Sequence, residues 1–223
     1  MGGNSKEKII GFSVETRSSN GMKKFTLLLA AVSLNLAAFV NAETFDFKDP
    51  KGVNNVVFRT DAPLESINGT ATGVSGTVEF DPANPGSLKG KIVVDAASLH
   101  VPNSVMQGHL QGPMWLDVKQ FPEISFEAAS VDNIKTDGNK TTADVTGTMT
   151  IKGVSHKATV PVQLTYLKDK LKDRLPMLQG DLLVIRAKFT VKRSDYGINK
   201  GQGEDKVSDD IALDLSIAGQ SPH

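Results

Sequence analysis

From about residue 43 onward, apolar and polar residues alternate with period two, the pattern of strands that bury one face and wet the other. Val74, Gly76, Val78 and Phe80 share one face, with Ser75, Thr77 and Glu79 opposite. After the Pro/Gly-rich segment Asp81-Pro82-Ala83-Asn84-Pro85-Gly86, Leu88, Gly90, Ile92, Val94 and Ala96 align again, which predicts a hairpin. Ile124, Phe126 and Ala128 continue the pattern. The longest alternation sets Ala143, Val145, Gly147, Met149 and Ile151 against five threonine or aspartate positions. Its return carries Ala158, Val160, Val162, Leu164 and Tyr166. Two further strands follow, with Leu183, Ile185, Ala187, Phe189 and Val191, then Ile211, Leu213, Leu215 and Ile217, on their apolar faces.

With the opening pieces near Phe45 to Phe47 and Val56 to Thr60, about eight strands are predicted, and no helix of comparable strength interrupts them. So many amphipathic strands must stack as a sandwich or close on themselves, because open edges invite aggregation. The strand lengths suit a tilted, strongly curved barrel, and Gly69, Gly73, Gly76, Gly90 and Gly147 offer bending points. The expected fold is therefore all-β: a single antiparallel barrel, with a sandwich as the alternative.

Three stretches break the alternation. Ser98 to Pro122 is long and carries Met106, Leu110, Met114, Trp115, Leu116 and Phe121, so it must pack on something. It is expected to form a lid loop or short helix over one end. Leu167 to Gly180 mixes lysines with leucines, which suits a short amphipathic turn or exposed loop. Arg193 to Ser208 is polar and glycine-rich.

The N-terminal region reads differently. Met22-Lys23-Lys24, a mostly apolar run from Phe25 to Phe39, and Val40-Asn41-Ala42 form the three parts of a secretory leader. The apolar run is short for a membrane span, which needs roughly 20 residues. Cleavage after Ala42 is expected, placing the protein in the periplasm or outside the cell. Residues 1–21 read as an extension ahead of Met22, a candidate true start, with 22–42 as the signal peptide, 43–219 as the barrel domain and 220–223 as a tail.

Charge and cysteine content narrow the function. Lys+Arg 25 balance Asp+Glu 25, so no sequence-wide field recruits nucleic acid. With Cys 0 there is no disulfide, thiolate metal site, cysteine nucleophile or lipidated cysteine, and the core alone must hold the fold.

Four segments carry a family resemblance: Leu116-Asp117-Val118, Phe121-Pro122-Glu123-Ile124-Ser125-Phe126, Gly147-Thr148-Met149-Thr150-Ile151-Lys152-Gly153-Val154-Ser155, and Arg193-Ser194-Asp195-Tyr196-Gly197-Ile198. In this order the chain resembles the YceI-like family across 43–219. The resemblance implies an exported, lipocalin-like antiparallel barrel associated with binding polyisoprenoids and related amphiphiles. Many members have an Arg-Asp pair before the His-Leu of the long loop, where this chain has Gln107-Gly108 before His109-Leu110. The segment from Ala62 to Gly69 looks like a subgroup version.

A barrel of this size is either plugged by side chains or holds one ligand, and the small inward residues favour a hollow. Phe80, Phe126, Met149 and Phe189 are expected in the wall, with Met106, His109, Leu110 and Trp115 in the lid; the four wall residues and Trp115 also suit a solid core. Each buried CH₂ contributes roughly 0.8 kcal/mol, so an isoprene unit adds up to about 4 kcal/mol before ordering costs. His109 stands where it can meet a phosphate or quinone oxygen, or simply solvent. Arg193 and Asp195 read as an ion pair or turn cap that braces a strand end, with ligand contact as the alternative.

The enzyme motifs are incomplete. Gly153-Val154-Ser155-His156-Lys157 has lysine where a nucleophile elbow needs glycine, and it joins two strands. Gly201-Gln202-Gly203 follows no βα unit. His100, His109, His156 and His223 lack metal-ligand spacing. The expected function is a non-catalytic carrier of an isoprenoid, quinone-like or other amphiphilic lipid. It needs no metal or further cofactor, makes at most transient membrane contact, and is a monomer or homodimer. The rivals are an enzyme acting on such a lipid and a stress or scaffold protein with a filled barrel.

Overall fold

The computed structural model describes residues 42–223. The expected extension, and all but the last residue of the expected leader, lie outside the described residues. Ten strand segments form one antiparallel sheet in the order β1-β4-β5-β6-β7-β8-β9-β10-β2-β3, and a β1–β10 pairing closes it.

Ten segments fill eight positions around the barrel. β1 (Glu43–Asp46) and β2 (Asn55–Asp61) lie end to end along β10 (Asp210–Pro222). β3 (Ser66–Ala71) and β4 (Val74–Phe80) form the next position, pairing with β2 and β1 respectively. β5 (Lys89–Asp95) follows, and then the long strands β6 (Glu123–Asp137), β7 (Lys140–Ile151), β8 (Val154–Leu167) and β9 (Gly180–Lys192).

The expected faces are the observed ones. Along β7, Ala143, Val145, Gly147, Met149 and Ile151 are all buried, while Thr142 and Thr148 are exposed. Glycines bring the backbones of β4 and β5 into close approach. Gly76 and Gly90 have φ of +115° and +151°, and a Cβ on Gly90 would lie 2.3 Å from the Thr77 carbonyl oxygen. Only glycine lets the two backbones meet this closely and bend.

One seam in the wall is incomplete. β8 pairs with β9 only from Val162↔Ala187 to Leu167↔Leu182. Pro161, immediately before this ladder, has no N–H to offer a neighbour. Above that point the 3₁₀ turn Arg193–Tyr196 fills the space: Tyr196 and Ile198 pack with Met149 and Ile151, and with Ala158 and Phe189 from the two parted strands. His156 on β8 donates from Nε2 to the Asp195 carbonyl at 2.9 Å, and its ring meets Tyr196 edge-on.

Antiparallel order sends alternate connections to opposite ends. One end has the β2–β3, β5–β6, β7–β8 and β9–β10 connections. The other has β4–β5, β6–β7 and β8–β9, and is closed by a dense cluster of Phe45, Phe47, Phe80, Leu164, Leu183 and Ile217. Leu171 of the one-turn helix α2 (Leu171–Arg174) is also fully buried.

Candidate ligand-binding site

Above that floor the inward side chains do not meet across the barrel. They enclose a cavity of about 660 Å³. Its strand-borne wall is aliphatic and aromatic, with Ile92, Val94, Val145, Val162, Ala187 and Leu213 among the residues facing it. Thr60 and Ser125 are the hydroxyl-bearing strand residues that line it, and no strand contributes a titratable lining side chain among the described residues.

The β5–β6 connection forms the lid. It contains α1 (Ser104–Gln111), started by Asn103, whose Oδ1 accepts from the Val105 and Met106 N–H groups at 3.0 Å. No residue of α1 is fully buried, so the helix needs tethers. Gln107 supplies two: its Oε1 accepts from Val101 N at 2.8 Å, and its Nε2 donates to Leu99 O at 2.8 Å. Gln111 donates to Ala97 O. The side chain at position 107 is thus engaged by the lid's own backbone.

Seven of the eight expected residues line this cavity: Met106, His109, Leu110 and Trp115 from the lid, and Phe126, Met149 and Phe189 from the wall. Phe80 does not. It is 1% exposed and sits in the floor cluster, with its ring 6.5 Å from that of Tyr166. Alternation identified its inward face correctly, but periodicity carries no information about height along the barrel axis. His109 is exposed at the rim.

Arg193 does more than brace a strand end. It is 3% exposed, and its guanidinium donates to the carbonyl oxygens of Ser208, Ile198, Asn199, Gln202 and Val207. This gathers the 198–208 loop around one cation, whose Cζ lies 5.7 Å from the centre of the Trp115 ring. Asp195 contributes its carbonyl to His156 instead of a carboxylate to Arg193. No sequence motif marks a cage of five carbonyls, because the acceptors are backbone atoms.

The charged and titratable lining groups, Glu65, His109, Arg193, Tyr196 and Lys206, all belong to connections at the lid end. Burial, then the neighbouring Asp195, pushes the Tyr196 phenol up, keeping it a neutral hydroxyl. Lys168 to Arg174 lie in the β8–β9 connection at the other end, and none of them lines the cavity. Arg174 there pairs with Asp49 at 2.9 Å, and Lys170 with Asp173 at 3.1 Å.

A polar cluster sits outside the floor. Tyr166 donates its hydroxyl to Asp181, and the Asp169 N–H donates to the same carboxylate at 2.7 Å. Burial pushes the Asp181 carboxyl up, but these hydrogen bonds, aided by His223, hold it below the ordinary aspartate range. Asp169, Asp181 and His223 bring potential ligand atoms within 4.8 Å of one another, in a different place from the cavity lining. Asp181 already serves two donors there.

Comparisons with known proteins agree with this geometry. The sequence matches the YceI-like domain over residues 24–218. A UPF0312 protein of Pseudomonas fluorescens is 31% identical over 201 residues, spanning 89% of this chain and 98% of the relative. Its Pseudomonas putida counterpart from strain F1 is 32% identical over 153 residues, 69% of this chain and 73% of the relative. BcnA of Burkholderia cenocepacia superposes with a TM-score of 0.61 at 22% identity, covering 74% of this chain and 95% of that one. A polyisoprenoid binding domain from Saccharophagus degradans, implicated in plant cell wall breakdown, gives 0.58 at 12% identity, covering 81% and 99%. At those identities the two structures share the fold, and the family match carries the assignment: this chain belongs to the YceI-like family.

Proposed function

We propose that the protein is an exported carrier that sequesters or transports an isoprenoid, quinone-like or similar amphiphilic lipid in its barrel, without catalysing a reaction on it. The observation that carries this reading is the cavity of about 660 Å³ behind an apolar strand wall. At about 30 Å³ for a group the size of a water molecule, that space suits roughly 20 non-hydrogen atoms, or about four isoprene units. Transfer of such a tail from water is strongly favoured, while cavity shape, more than buried area, sets tail length. The domain of S. degradans, described as polyisoprenoid binding, lends the ligand class support.

The leader pattern over residues 22–42 supports export to the periplasm. Leu64, Val105 and Met114 are each about two-thirds exposed on lid-end connections, which suits brief contact with a membrane during loading. An enzyme acting on the lipid would need reactive groups along the cavity wall, and the titratable lining groups stand at the mouth.

Organic-solvent extraction of the purified protein, followed by mass spectrometry, tests the proposal. A recurrent amphiphile with a tail of about 20 carbons is expected. Repeated recovery of no lipid would overturn it.

A further inference from the structure

At the end of the barrel away from the mouth, four segments of the chain bring carboxylate and imidazole side chains to one place. Glu43 begins β1, Asp169 lies in the β8–β9 connection, Asp181 is the second residue of β9 and His223 follows β10. Strand register holds the last two together. Ser221 pairs with Asp181 and Pro222 with Gly180, and the His223 N–H donates to the Gln179 carbonyl at 3.2 Å. No spacing along the chain announces this group, because each member comes from a different strand end or connection.

Asp169, Asp181 and His223 each offer one ligand atom, and these atoms lie within 4.8 Å of one another. His223 Nε2 is 3.7 Å from Asp169 Oδ1, too far for a hydrogen bond. Two atoms held by one zinc ion at about 2.1 Å stand roughly 3.4 Å apart at the tetrahedral angle. Both side chains are exposed, so small rotations bring them to that separation. Asp181, 1% exposed, is the fixed member. Tyr166 and the Asp169 N–H each occupy one lone pair, on different Asp181 oxygens, which leaves a second lone pair on each. Donors placed in this way orient a ligating carboxylate.

The group is short of positive charge. Glu43 stands close enough to Asp181 and His223 to feel both, and its Oε2 is buried with no hydrogen-bond partner. Three carboxylates therefore converge with one imidazole, and among the described residues no lysine or arginine pairs with any of them. A buried anionic oxygen without a donor is unfavourable unless a cation joins it. Imidazole nitrogen combined with carboxylate oxygen suits zinc, whereas calcium and magnesium sites are built from oxygen.

We propose that Asp169, Asp181 and His223, with Glu43 as the fourth ligand, bind one divalent cation of the zinc class at the base of the barrel. The ion ties the ends of β1 and β10 to the β8–β9 connection, a staple in a chain that has no cysteine. None of these residues lines the cavity, so the inference stands independently of the carrier reading.

The full chain, treated with chelator and dialysed, is titrated with Zn²⁺ alone by calorimetry and by thermal melting. One equivalent is expected to bind with a Kd tighter than about 100 µM and to raise the melting temperature, with Mg²⁺ and Ca²⁺ binding at least about ten-fold more weakly. His223→Ala and Asp169→Asn should each weaken Zn²⁺ binding by about ten-fold or more, and Glu43→Gln by several-fold. Both of the first two positions are exposed, and metal-free urea midpoints near that of the wild type show that those variants are folded. His100→Ala, which removes an exposed histidine at the lid end, should leave binding unchanged. Zn²⁺ binding weaker than about 100 µM, or binding that His223→Ala and Asp169→Asn leave intact, would overturn the proposal.

Discussion

Arg193 shows how one side chain organises a loop that has little apolar content of its own. Its removal orphans five carbonyls, and hydrogen bonds to charged groups are each worth about 1.5–3 kcal/mol. Arg193→Ala is expected to cost about 3 kcal/mol or more in urea unfolding, and Arg193→Lys to rescue little, because an ammonium has three donors and no planar fork. Asp49 plays a comparable part at the opposite end. Burial pushes its carboxyl up, but the N–H groups of Asn54, Lys51 and Val53, together with Arg174, outweigh that and hold it below the ordinary range. A carboxylate with a depressed folded pKa stabilises fully above the unfolded value of about 3.9, and that contribution disappears as pH falls through the folded one. Melting the wild type and Asp49→Asn between neutral and strongly acid pH should show a steeper acid loss in the wild type; parallel curves would refute the assignment. Glu43 has the opposite sign. Burial and then Asp181 raise its pKa, so its contribution weakens as pH rises through the folded value.

Among the elements, the β4–β5 pair and the lid carry the strongest expectations. The Cβ of a Gly90→Ala variant would meet the Thr77 carbonyl oxygen at 2.3 Å, on a backbone with φ of +151°. The predicted destabilisation is about 2–3 kcal/mol, measured by chemical denaturation. Gln107→Ala removes two tethers from α1, which has no fully buried residue of its own. Amide exchange over residues 101–111 should accelerate by about ten-fold, while exchange in β7 and β9 stays unchanged. The alternation made β6 to β10 legible, and the break in it located the lid. The parted upper seam of β8 and β9 was less visible. Pro161 cannot donate to a neighbour there, and the Tyr196 turn that fills the seam follows β9 directly, but no local pattern registers its docking back onto β8.

At the scale of the molecule, the question is whether the barrel is hollow or filled. Ala187 is buried in the strand wall and faces the cavity. Ala187→Phe is expected to place a ring in that space, lowering lipid recovered by extraction by about ten-fold with little loss of thermal stability, because filling a void restores contacts. A marked loss of stability would instead show that the wall is already tightly packed there. The sequence alone determined the faces: in a strand, successive side chains must point to opposite sides, so composition by parity names the inward set, which is why Phe126, Met149 and Phe189 could be read in advance. It also supplied the family resemblance. Tertiary structure alone decided the depth of each residue and the volume they leave. Barrel radius and stagger determine how far inward side chains reach across the axis, which is why Phe80 belongs to the floor and Phe189 to the cavity wall. Likewise, only the folded chain could assemble five backbone carbonyls around Arg193, since it is the course of the 198–208 loop, and no side-chain motif, that brings those acceptors together.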